Sequence, residues 1–463
     1  MRQKTVLTVA AAGGIAIALT AVTPALAADT TWSQEGDSWW STAAWTSTVP
    51  AAGDNVTFAG GPRSTYNLGD LGFGSFHFTN AHTIANGGGA IALDAGLTAD
   101  AGALVTIEPG LTTSSTQTWS VGAGAVLTLP SQVNVNPAST LTLAVDGLLE
   151  VTTGNLDGGA SACIVKSGSG ILRLASGGGG VGACPGQPEG LLAEAGEVEI
   201  VAGAALGGKS LAAVGGTVTG GALGAPGVVR QLNLGAGGTV SPGASSGSEL
   251  GQLDLWGTST WSGGTYLVDW DPATGASDLV FGDNQAISLT GAVLAPRILG
   301  GAAPTTTPFT VLSSSTLIDG AFLAPDGSSL TDGIEFVSGG QVYRYGEVLA
   351  QDGSTVTAVT LTWVRAVPPT PDPDPEPQPG PQPDTTPTRR RRERAESRPA
   401  RHLSTADGRC GRDPDPATSP EGSLKPLHPG PEAAHVVALD AAALRALDLV
   451  DLGIVSCHRL PLD

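Results

Sequence analysis

From about Ala28 to Arg365 the chain repeats one short phrase, a few residues of alternating apolar and polar character closed by Gly, Asn, Asp or Ser: "NVTFAG", "AIALDAG", "AVLTLP", "TLTLAVDG", "ILRLASG", "EVEIVAG", "QLNLGAGG", "TYLVDW". Each phrase is too short for a helix and has the period-two pattern of a strand with one buried face. No 3.6-residue periodicity is sustained anywhere in this region. The spacing drifts from about a dozen residues to the mid-twenties, a degenerate repeat. Many short strands with turn punctuation suit a sandwich, a propeller or a solenoid. Roughly 340 residues exceed one sandwich, and no blade-length repeat is visible. A parallel β-helix needs a small apolar interior in every coil and sharp turns, which glycine supplies through positive φ. The 67 glycines, with only 14% charged and 5% aromatic residues, meet both needs. The sequence therefore predicts an all-β parallel β-helix, a solenoid.

The first residues read differently. Arg2 and Lys4 precede the apolar run "TVLTVAAAGGIAIALTAV", and "ALA" ends at Ala27, so 1–27 is expected to be a cleaved export signal. No later stretch reaches the roughly 18 uncharged apolar residues that a membrane helix requires. A secreted or surface-held protein with no further membrane span is the expectation. Charge is uneven: from Ala28 to Thr388 there are 31 Asp and Glu against 8 Lys and Arg. Such an acidic body argues against nucleic acid as a partner, since phosphate contacts need clustered cations.

Cys163 and Cys184 are 21 residues apart, close to one coil of a β-helix. Equivalent positions on adjacent coils would lie about 4.8 Å apart, within reach of a disulfide, and export permits the bond. Two free buried thiols are the alternative. No histidine near either cysteine suggests zinc.

"KSGSGILRL" from Lys166 to Leu174, followed by "LLAEAGEVEIVAGAALGG" from Leu191, resembles the autotransporter-associated β-strand repeat, with its K-x-G-x-G-x-L-x-L pattern and a later V-x-x-G-x-L strand. The opening is similar to the Trp-rich start of such passengers, with Trp32, Trp39, Trp45, Pro50, Gly53, Asp54 and Phe58 in the matching places. The likeness spans roughly residues 30 to 365 and implies a right-handed β-helix displayed outside a bacterium. One departure is the lack of a dozen amphipathic barrel strands after Arg365, so self-translocation is not expected. The organisation expected is a signal at 1–27, a Trp-rich cap at 28–62, coils at 63–250, C-terminal rungs at 251–365, a Pro-rich linker at 366–388 and an Arg-rich, low-order tail at 389–463. For that tail two readings stand: a disordered basic segment contacting an anionic envelope, or a shifted reading frame.

Candidate chemistry is sparse. Gly243-Ala-Ser245-Ser-Gly247 matches G-x-S-x-G, but a nucleophile elbow needs a strand before it, a helix after it and a later histidine. The later histidines all lie in the tail, so Ser245 is read as a turn residue. Gly36-Asp-Ser38 matches the GDS block of certain lipases but sits among tryptophans. His77 and His82 are expected on the surface of an early coil. Asp269 and Asp271, two apart in a strand, project from one face while Trp270 points the other way. With Trp256 and Trp261 they are the candidate sugar-binding residues. Calcium at Asp269, Asp271 and Asp278 lacks a recognisable loop. No catalytic residue, metal or cofactor is assigned. The function expected is non-enzymatic surface interaction or adhesion, through a glycan or self-association. A polysaccharide-cleaving or carbohydrate-binding β-helix is the alternative.

Overall fold

The computed structural model describes residues 28–33, 38–159, 161–176, 182–185, 189–243 and 250–368. All of these fall in one unit, Met1–Asp374. Residues 1–27, read as an export signal, lie outside the described residues, as do Gly36, Asp37, Ser245, the Arg-rich tail and most of the linker. What is described is nearly all strand and winds as a parallel β-solenoid of about ten turns.

A turn is built from three short strands. One runs through Leu111–Thr113, Gln117–Val121 and Val126–Leu129, and the next through Val133–Val135, Thr140–Val145 and Leu148–Val151. The first two strands of each turn join a 22-stranded sheet and the third joins a 12-stranded sheet. Stacking is in register: Val126 pairs with Leu148, and Leu148 with Ile171. Alternation then sorts side chains into vertical ladders, because every second residue faces inward. One ladder of the short sheet reads Val105, Leu127, Leu149, Leu172, Val198, Val218, Val240, Tyr266, Leu294, all buried. Stacking runs on unbroken past residue 250, with Val228 paired to Asp254 and Asp254 to Phe281.

The K-x-G-x-G stretch has a structural meaning. Lys166 occupies an interior position in the long sheet, between Leu143 below and Ala193 above. Its ammonium is held by carbonyls of three successive turns: Val145 at 3.4 Å, Ser167 and Gly168 at 2.9 Å, and Ala195 at 3.1 Å. A buried cation is tolerable only when its donors are satisfied in this way. Gly168 has φ +78°, and a Cβ there would lie 2.6 Å from the Val145 oxygen. At Gly170 it would lie 2.0 Å from that of Gly147. The glycines bring the corners close enough for one amine to reach all of them, and Leu172 and Leu174 resume the core.

The two cysteines are bonded, with Cα atoms 4.6 Å apart. Their placement corrects one expectation. Ile164 pairs with Leu191, so the residue stacked on Cys163 is Gly190, and Cys184 sits in a segment between strands. The bond ties that segment to the outer face of the wall, where Cys163, Cys184, Leu192 and Ala212 form a small apolar cluster.

The C-terminal end changes pattern. Glu335–Ser338, Gln341–Leu349 and Val356–Ala366 form an antiparallel meander, and the last strand pairs antiparallel to Phe309–Ser314. A meander laid on the last turns protects an edge that would otherwise recruit another chain.

Candidate functional site

Thr265–Asp271 and Val293–Ile298 lie side by side with Asp269 opposite Arg297. Both point outward from the short sheet, yet Asp269 is buried, because the guanidinium folds over it. Nε donates to Oδ1 and Nη2 to Oδ2, each at 2.6 Å, the bidentate pairing that fixes an arginine in plane. Asp278 lies behind this pair and is fully buried. Its Oδ1 accepts from the Gly251 amide at 2.8 Å and its Oδ2 from the Asp269 amide at 2.9 Å. Burial pushes the Asp278 carboxyl up to about 7, aided by the Asp269 charge and opposed by the two amides and Arg297.

Arg297 remains half exposed and borders a groove of about 460 Å³ between the last turns and the C-terminal meander. Trp363, Gln341, Tyr343, Gly300 and Pro304 are among the other residues that line it. The Trp363 indole donates to Gln341 Oε1 at 2.9 Å, which leaves the Gln341 amide nitrogen for other use. The Tyr343 hydroxyl is buried and has no partner among the described residues. Desolvation pushes it up to about 12. An oriented guanidinium, an aromatic ring and an amide make a surface for planar or polyhydroxylated ligands.

The expected sugar face does not assemble. Trp261 and Trp270 are 0% and 1% exposed: Trp261 packs on Tyr266 and Phe322, and Trp270 stacks on Phe309 at 4.6 Å. Rings inside the wall cannot receive a sugar; Trp256 alone is exposed. Asp271 shares the outer side with Asp269 but begins a hairpin, where it accepts from the Ala273 amide and the Thr274 hydroxyl. The oxygens of Asp269, Asp271 and Asp278 are thus engaged by protein donors. Among the described residues no group of three His, Cys, Asp or Glu side chains is placed to hold a metal ion.

The histidines divide. His77 is on the surface beside Asp100 at 3.0 Å, as expected. His82 is not: it stacks beneath Val105 on the short-sheet ladder and is 2% exposed. Its Nδ1 donates to the Gly61 carbonyl at 2.8 Å, so Nε2 accepts the Ser64 hydroxyl at 2.9 Å. The pairing is that of an activated hydroxyl. Ser64 is 0% exposed, however, so its hydroxyl is closed to a substrate, and the imidazole, which borders an outer groove with Pro62 and Leu104, packs against Phe58, Phe78 and Trp32. Burial pushes His82 down to about 4. The phase of "HTIAN" carries the signal for this, since His82 and Ile84 share one face. Ser38 likewise serves a turn, accepting from the Trp40 amide and the Asn67 side chain.

No protein-family model matches this sequence, and no curated protein matches it.

Proposed function

We propose that this is an exported, non-enzymatic protein of the bacterial surface or matrix, akin to passengers built from autotransporter-associated repeats, that adheres through the Arg297 groove to an acidic glycan. The observation that carries the reading is the guanidinium itself. Asp269 orients it through two donors, and Arg297, Trp363 and Gln341 line one open groove. The Nη1 edge that Asp269 leaves free, lining the groove with an aromatic ring, suits a carboxylate-bearing or sulfated sugar.

The test is calorimetric titration of the mature full-length chain with polygalacturonate, alginate and neutral dextran. Acidic polymers are expected to bind, and Trp363→Ala with Arg297→Lys to weaken them at least tenfold, about 1.4 kcal/mol. Dextran binding that Trp363→Ala weakens as much as it weakens acidic polymers, or no binding of the acidic polymers, overturns the reading. The carbohydrate-cleaving alternative gains nothing from Asp278, which is fully buried with both oxygens engaged by backbone amides. Release of new chain ends would decide for it.

A further inference from the structure

We propose a second binding site on the same wall, for an uncharged saccharide with adjacent hydroxyls, in the groove beside the disulfide. The groove holds about 450 Å³ and crosses the outer faces of successive turns of the long sheet. Its floor is Ala212 and Val214, small apolar side chains suited to the C–H face of a sugar ring. Asn233 pairs with Ala212, and the Thr260 amide donates to Asn233 Oδ1 at 2.7 Å, so these outward positions stand in one vertical file.

The observation that points to a ligand is Glu189. It is 4% exposed, lines this groove, and receives a hydrogen bond on Oε1 from Asn233 Nδ2. Its other oxygen, Oε2, is buried with no partner among the described residues. A buried carboxylate oxygen left unpaired is costly, which makes it a standing acceptor for a donor brought by a ligand. Its position is fixed: the Cys184 amide donates to the Glu189 carbonyl at 2.7 Å, so the disulfide anchors the residue.

The surrounding groups complement a sugar. Asn233 Nδ2 and Gln231 Nε2 each keep one hydrogen beyond the bonds they make within the wall, and the Thr260 and Ser262 hydroxyls also line the groove. A carboxylate that accepts from one hydroxyl, beside an amide that donates to the next, satisfies both members of a vicinal pair. Charge selects against acids, because no cation is present among the described lining residues to answer Glu189. The two grooves would therefore sort glycans by charge, acidic ones to Arg297 and neutral ones here.

The experiment is ligand-observed saturation-transfer NMR and calorimetry of the mature full-length chain with neutral gluco-, manno- and galacto-oligosaccharides. At least one is expected to bind, with affinity reduced at least tenfold by Glu189→Gln and several-fold by the exposed change Thr260→Val, while Trp363→Ala leaves it unchanged. That last control separates this site from the Arg297 groove, so either can fail alone. Thermal melts of Thr260→Val keep the result readable if Glu189→Gln unfolds. Absence of binding by every neutral oligosaccharide up to about 10 mM, indifference to both substitutions, or binding only when calcium is added would overturn the proposal.

Discussion

The first turns of the solenoid are filled with rings and the middle turns with aliphatic chains, although the backbone follows the same path in both. At the N-terminal end Trp32, Trp39, Trp45, Phe58, Tyr66, Phe73, Phe76 and Phe78 are all buried, and Trp39 touches six of the other rings. From Leu127 to Val240 the short-sheet ladder is Leu and Val, and the long sheet narrows to Ala193 and Ala213 just above Lys166. The difference follows from what each region must cover. A middle turn is closed above and below by its neighbours, so small side chains in register fill it and even an amine can be housed. An end turn has a neighbour on one side only and needs bulk to shield the open interior, which large rings supply per residue more effectively than leucine. Aromatic rings return at the other end, where Phe309 and Phe322 before the meander and Phe336, Tyr343 and Tyr345 within it are buried.

Removing the plug should have the largest effect. Trp39→Ala is expected to cost about 3–5 kcal/mol by leaving a cavity among six rings. Because turns contact mainly their neighbours, the loss should appear as local opening. Hydrogen exchange is expected to rise first in Asn55–Phe58 and Arg63–Tyr66, leaving Thr140–Val145 protected. Uniform loss of protection along the whole chain would show that the aromatic end is no separate cap.

The middle region has its own device, the Cys163–Cys184 bond over its outer wall. Replacing both cysteines by alanine is expected to cost about 3 kcal/mol, from the closure entropy of a loop of this length. Opening should begin at Leu191–Ala193 and stay away from the N-terminal turns. Denaturant midpoints of the oxidised, reduced and alanine forms measure the effect. Equal midpoints would remove the bond from the stability of the middle turns.

Most of the architecture was legible because alternation and glycine turns are local signals. "TLTLAVDG" dictates a strand with Leu141, Leu143 and Val145 on one face, and stacking does the rest. The cysteine spacing foretold the bond but not its geometry, because an irregular segment displaces Cys184 from the ladder. Alternation sets Trp270 opposite Asp269, and in a coil with a single wall the side opposite an outward acid is the core. The ring was therefore lost to any sugar. Arg297 escaped notice because its partner Asp269 lies a full turn earlier, and a ladder contact of that range leaves no mark in the local pattern. Glu189 escaped for a stronger reason: its burial depends on how the disulfide places its segment.

The smallest effect contrasts the two ends by their protons. His82, in the aromatic end, is pushed down to about 4 from 6.5, and Asp278, in the last turns, up to about 7 from 3.8. Between about pH 4 and 6.5 the unfolded chain holds more proton at His82, so that group makes stability rise with pH. Over the same window the folded chain holds more proton at Asp278, so that group makes stability fall with pH, and its contribution is gone above about 7. Each slope is at most about 1.4 kcal/mol per pH unit, and in the native protein the two subtract. Asp278→Asn is expected to give a protein whose stability climbs more steeply with pH between 4 and 6.5 than the parent's, and His82→Gln one whose stability falls. The amide of the asparagine also loses an acceptor for one of two backbone donors, but that offset is the same at every pH and leaves the slope readable. Urea titrations across the window measure both, and a parent-to-variant difference that stays constant with pH would mean that neither end stores a shifted proton.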